Sequence, residues 1–149
     1  PFQELVAANA TLPQAMELCR SIGPMYVSTL QSLMHRPECI TPTDQQVMED
    51  LLAYQDGHLR LAAAAVYMRE RYLHRERWLG AIEAAQDDAQ FVWASVDPIA
   101  TAEMGRELHR MFPRAGYHEL PELGHFLLME DPQAVAERIG AFHGVGLGE

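Results

Sequence analysis

The chain is 149 residues long, 48% apolar and 21% charged, a balance that suits one packed core and excludes a disordered or fibrous protein. Eleven basic against twenty-one acidic side chains give a net charge of −10. With no basic stripe, that charge argues against nucleic acid and against an anionic membrane surface as partners. Apolar runs such as Leu61–Tyr67 fall well short of the roughly 20 residues a membrane-spanning helix needs.

Cys19 and Cys39 lie far apart and form no Cys-x-x-Cys pair, so they read as reduced thiols of a cytoplasmic protein. The chain opens on Pro1, with no charged start and no apolar signal segment, which predicts a piece of a longer polypeptide.

The first half reads as helices. Leu12, Ala15, Met16 and Cys19 have helical spacing, interrupted at Gly23-Pro24. Val27, Leu30, Leu33 and Met34 form a second stripe that stops before Pro37. Thr43, with Gln46 three residues on, reads as a capping box opening a helix through Val47, Leu51 and Tyr54 to Gly57. A long helix follows, with Leu61, Ala65, Met68 and Tyr72 on one face. Trp78, Leu79 and Ile82 then reopen an apolar face before Asp87-Asp88.

The rhythm changes at Gln90. Gln90-Phe91-Val92-Trp93-Ala94 is aromatic and β-branched, hence a strand, and Asp97-Pro98 follows it. Thr101 to Met111 is helical, with Met104, Leu108 and Met111 expected on its buried face. Tyr117 to Leu120 reads as a second strand, and Pro132 opens a helix whose buried face would be Val135, Ile139 and Phe142. Gly144, Gly146 and Gly148 suggest a loose tail. Strand–helix–strand–helix alternation predicts a parallel α/β sheet. Two strands alone leave edges and faces without partners, so further strands are expected beyond this sequence.

In a parallel sheet, loops at the carboxyl ends of strands share one edge. Asp97 follows the first strand and His125 the second, in Leu123-Gly124-His125. A carboxylate on one imidazole nitrogen fixes the tautomer and leaves the other nitrogen as a base. Taken singly, Asp97 also suits a turn or N-cap, and His125 a surface loop. None of the seven histidines forms His-Glu-x-x-His, and the cysteine spacing suits no zinc site.

Phe91-Val92-Trp93-Ala94-Ser95-Val96-Asp97-Pro98-Ile99-Ala100, then Leu120-Pro121-Glu122-Leu123-Gly124-His125-Phe126 and Met129-Glu130-Asp131-Pro132, resemble the C-terminal part of α/β-hydrolase-fold enzymes. Ahead of them, Asp56-Gly57, Tyr67-Met68-Arg69-Glu70-Arg71 and Arg77-Trp78-Leu79-Gly80-Ala81 resemble the cap of the mesoderm-specific-transcript-like branch, related to epoxide hydrolases and haloalkane dehalogenases. The resemblance implies a helical cap or lid over residues 1–88, the last βαβα unit of the α/β-hydrolase parallel sheet over 89–143 (an incomplete domain), and a flexible tail at 144–149. By the same resemblance Asp97 is the triad acid, His125 the base, and Tyr67 a cap donor to substrate, with Trp78 a packing residue. A small apolar substrate of epoxide, haloalkane or ester type would be hydrolysed through a covalent intermediate, without metal or organic cofactor.

The pattern departs from the family in lacking a Gly-x-Ser-x-Gly elbow, an Asp elbow and an oxyanion loop. Ser21, Ser28, Ser32 and Ser95 stand in other contexts, and Ala94 stands where many relatives carry Gly. The nucleophile, Ser or Asp, is therefore expected outside this chain, in a missing N-terminal half that would be its partner. The competing reading is a non-catalytic helical interaction module, or a truncated homologue that acts only with another chain.

Overall fold

The computed structural model describes residues 17, 19–20, 25–61 and 67–145. Leu12, Ala15 and Met16 of the first predicted helix, Ser21, Gly23 and Pro24, Ala65 and the Met68 side chain, and Gly146 and Gly148 lie outside the described residues. The chain forms two compact units: Pro1–Thr29 with Thr41–Leu79, and Leu30–Ile40 with Gly80–Glu149.

In the first unit, α1 (Tyr26–Gln31) begins with Val27 buried and runs on into the second unit. The helix α2 (Pro42–Ala53) starts two residues earlier than the sequence predicts. Its cap is Thr41, not Thr43: Thr41 Oγ1 accepts from the Asp44 amide at 3.2 Å, and the Asp44 carboxylate accepts from the Thr41 amide at 3.0 Å. Pro42 decides the start, because at the first helical position it has no N–H to waste and its φ is preset. The helix also stops early, at Ala53, and a 3-10 stretch Tyr54–Arg60 follows. Gln55 and Asp56 there hold left-handed φ values of 49° and 55°, which breaks the ladder before Gly57 does. Val47, Leu51 and Tyr54, the apolar residues of this stretch, are exposed. The unit continues with α3 (Tyr67–Leu73), where Tyr72 is exposed, and the first part of α4 (Arg75–Ala84).

The second unit carries the sheet. Strands β1 (Gln90–Ala94) and β2 (Gly116–Leu120) pair in parallel, in a register running from Gln90 opposite Gly116 to Ala94 opposite Leu120. Between them lies α5 (Ala102–Met111), and after them come α6 (Leu127–Glu130) and α7 (Pro132–Phe142). Side chains alternate across the pleat. On one face, Ala94 and Leu120 pack with Leu123 and with Val135 of α7. On the other, α5 approaches Trp93, and Phe91 meets Phe112 at 6.4 Å between ring centroids. Each face of the sheet thus has its own helix, the arrangement of an α/β layer.

The burial of α5 differs from the expected methionine stripe: Met104 and Met111 are exposed, and Gly105 is the buried contact. A β-carbon at Gly105 would stand 2.6 Å from the Trp93 ring. The indole is itself pinned by its Nε1–H, which donates to the Ala100 carbonyl at 2.8 Å and the Thr101 carbonyl at 3.1 Å. The helix comes that close only because the residue is glycine. In α7, Val135 and Gly140 are buried and Ile139 is exposed, since Gly140 takes the inward position. Gly144 at φ 67° closes α7, with the Val145 amide donating to the Gly140 carbonyl at 2.8 Å, a Schellman-type end. Among the described residues, no helix is long and apolar enough to cross a membrane.

Candidate active site

The carboxyl ends of β1 and β2 are tied together before any site is made. The Ser95 amide donates to the Leu120 carbonyl at 3.0 Å, and the Val96 amide to the Leu123 carbonyl at 3.1 Å. Ser95 Oγ accepts from the Glu122 amide at 3.0 Å, at a residue with φ 56°. The parallel pairing therefore continues into the two loops, and residues just past each strand emerge side by side.

Asp97 is buried in its turn. Its Oδ1 accepts from the Ile99 amide at 2.7 Å and the Ala100 amide at 2.9 Å, the bonding expected of an Asp before Pro. The same carboxylate meets the imidazole of His125: Nδ1 lies 3.0 Å from Oδ1 and 2.9 Å from Oδ2. A carboxylate only accepts, so Nδ1 carries the proton of this bond, and in the neutral form of the ring that tautomer leaves the lone pair on Nε2. The side chain of Asp97 is 7% exposed and that of His125 is 31% exposed, which leaves the imidazole open to solvent and its acid shielded. The His125 ring also meets Phe126 edge-on at 5.0 Å.

The loop holding His125 has a second acid that sequence reasoning missed as a site residue. Glu130 is buried, and its carboxylate accepts from the Gly124 amide at 3.0 and 3.1 Å and from the His35 and Arg36 amides at 3.0 Å each. The His125 amide donates to the Leu33 carbonyl at 3.0 Å. The signal available in the sequence was an acid six residues past Gly124, but its partners lie more than ninety residues upstream.

Asp97 and His125 are thus brought together as the sequence predicts. Tyr67 begins α3 in the other unit and is half-exposed. Ser28 donates to the Met25 carbonyl and Ser95 accepts within the strand-end turn, so both hydroxyls serve local structure. Among the described residues, no group of three or more His, Cys, Asp or Glu is placed to hold a metal ion.

A second charged cluster lies on the α5 face. Arg106 grips Glu119 of β2 through two hydrogen bonds, at 2.7 and 3.0 Å, and the Tyr117 hydroxyl donates to Glu119 at 3.1 Å. The Arg106 bond, then that of Tyr117, holds the Glu119 carboxyl below the usual carboxylate range. Burial, then the bond to Glu119, pushes the Tyr117 phenol up.

The chain is 36% identical over 98 residues to a protein named "Putative hydrolase LipZ" in two strains of Mycobacterium tuberculosis, a match covering 66% of this chain and 34% of that protein. It is 28% identical over 95 residues to the mesoderm-specific transcript protein of Mus musculus, covering 61% of this chain and 28% of that one. The chain spans about a third of the length of these curated relatives. No family model matches it, and no solved structure does. The two relatives support a partial relationship to α/β-hydrolase proteins, alongside a mixed helical fold with a small parallel sheet.

Proposed function

We propose that Asp97 and His125 are the acid and base of an α/β-hydrolase-type enzyme. In this reading residues 89–143 are the C-terminal part of its sheet domain and 1–88 its helical cap. The observation that carries the reading is the imidazole Nδ1 within 3.0 Å of both carboxylate oxygens, beyond two parallel strand ends. In such an enzyme a nucleophile displaces the leaving group from a small apolar ester, epoxide or haloalkane and forms a covalent ester. Nε2 of His125 takes a proton from water as the water oxygen attacks that ester, and the imidazolium formed is stabilised by Asp97. As the tetrahedral intermediate collapses, the imidazolium gives that proton to the departing oxygen, which is the hydroxyl of a serine nucleophile or, for a carboxylate nucleophile, the oxygen of the product alcohol. The nucleophile is unassigned, and Tyr67 stands as a substrate donor by resemblance alone.

The test is His125→Ala in the native polypeptide that carries this segment, assayed on an ester, epoxide and haloalkane panel. Turnover is expected to fall by about two to four orders of magnitude with the thermal melt retained. If the nucleophile is a carboxylate, the variant also accumulates the ester, seen as a mass increment on the protein. Unchanged turnover refutes the base assignment.

One observation favours a second reading. Val47, Leu51 and Tyr54 repeat at helical spacing and are all exposed, which suits a helical surface that binds another protein.

A further inference from the structure

The loop that presents His125 is short of its own backbone bonds. Leu123-Gly124-His125 follows β2 and precedes α6, and it belongs to neither. Its amides need acceptors, and both acceptors that Gly124 and His125 find come from elsewhere. The His125 amide donates to the Leu33 carbonyl, and the Gly124 amide donates to both oxygens of Glu130. The His35 and Arg36 amides also donate to Glu130, to the same Oε2 that Gly124 reaches.

The fit at this point leaves no slack. A β-carbon at Gly124 would stand 2.5 Å from the His35 nitrogen, 2.8 Å from the Leu33 carbonyl oxygen and 2.9 Å from Glu130 Oε1. The loop backbone, the Leu33–Arg36 strip and the Glu130 carboxylate are therefore in mutual contact. A buried carboxylate is costly unless its lone pairs are filled, and here three N–H groups fill them. No basic side chain bonds to this carboxylate among the described residues, so its partners are backbone amides on two separate segments.

We infer that Glu130 is a positioning residue for His125: by clamping the Gly124 amide against the Leu33–Arg36 strip it fixes the loop at the angle that sends Nδ1–H to Asp97. This rests on the acid–base reading of Asp97 and His125. The charge and shape of the glutamate are both needed. In Glu130→Gln, the Gly124 nitrogen lies about 3 Å from either terminal position, so the new NH2 group faces an N–H donor whichever way the amide is turned. One donor-to-donor contact is unavoidable, and the loop must move to relieve it.

The experiment follows the Nδ1–H proton and the tautomer of His125 by nitrogen-15 NMR of the whole chain. In the parent, Nδ1 is expected to be protonated and its proton protected by Asp97. In Glu130→Gln, that protected resonance is lost and the two tautomers mix. Val135→Ala is the control for stability alone, since Val135 is buried in the same unit beside Leu123 but bonds to nothing in the loop. It lowers the melt and keeps the resonance. Persistence of the resonance in Glu130→Gln overturns the inference, and so does its equal loss in Val135→Ala. Should Glu130→Gln not fold, Glu130→Asp, which keeps the charge and shortens the reach, is judged by the same outcomes. Asp97→Asn separates the two levels. A resonance absent from the parent, or unmoved by Asp97→Asn, overturns the acid–base pair itself, whereas one lost in Asp97→Asn and kept in Glu130→Gln overturns the role of Glu130 alone.

Discussion

At the scale of single residues, the site is set by groups that other positions force into place. Asp97 spends one oxygen on its own turn and still reaches the imidazole, because the Ile99 and Ala100 amides hold the carboxylate at the strand end. Gly124 is chosen for the space it leaves and not for its φ. A methyl there meets backbone nitrogen and carbonyl oxygen, which cannot rotate aside as a flexible side chain would. Gly124→Ala is therefore expected to destabilise the protein by about 1–3 kcal/mol, the usual cost of overpacking. Urea unfolding checks it, and a stability equal to the parent's shows that the strip and loop are not in contact. The imidazole should also lose its register with Asp97, since the loop must shift by a few tenths of an ångström or more.

At the scale of elements, β1, α5, β2 and α7 were legible because composition and period act locally there. Phe91, Val92 and Trp93 favour a pleated strand, and Pro132 marks a helix start whatever surrounds it. The inward faces were less legible. A methionine stripe suggests burial, yet Gly105 wins on α5 because close approach to Trp93 contributes more than a long side chain held at a distance. The cap of α2 was misplaced because Thr41 and Thr43 both have an acceptor-bearing residue three positions on, and only Pro42 distinguishes them. Asp97 and His125 were legible as strand-end residues, whereas Glu130 acts through His35 and Arg36, whose proximity no local pattern reveals.

The cross-link from β2 to α5 gives a pH dependence. Glu119, held below the usual carboxylate range chiefly by Arg106, stabilises the fold above the ordinary carboxylate titration. That contribution fades as pH falls from the usual range through the lowered value. Thermal melts of the parent and Glu119→Gln are thus expected to differ near neutral pH and to converge in acid. A gap that stays constant down to the acid limit means the ion pair adds nothing to stability.

At the scale of the molecule, the strand-bearing unit recruits a segment that sequence order places among the helices ahead of it. Leu30–Ile40 belongs to that unit, along with Gly80–Glu149. The ties are specific: His35 and Arg36 amides to Glu130, the His125 amide to the Leu33 carbonyl, the Arg36 guanidinium 3.6 Å from Asp131, and Cys39 Sγ 3.5 Å from the Glu130 carbonyl. The exposed ion pair contributes little, so the buried carboxylate and the backbone bonds must do the holding. Amides that share one acceptor lose it in one event, because the carboxylate cannot leave Gly124 without also loosening its hold on the strip. The His35, Arg36 and Gly124 amides, and with them the His125 amide that bonds to Leu33 of the same strip, are therefore expected to exchange with deuterium as one group, at rates within about tenfold of one another, since a common opening has a common free energy. Hydrogen exchange read residue by residue at neutral pH measures this. If His35 and Arg36 exchange at open-chain rates while Gly124 and His125 stay protected, the strip is not part of the unit and the loop is held by something other than Glu130.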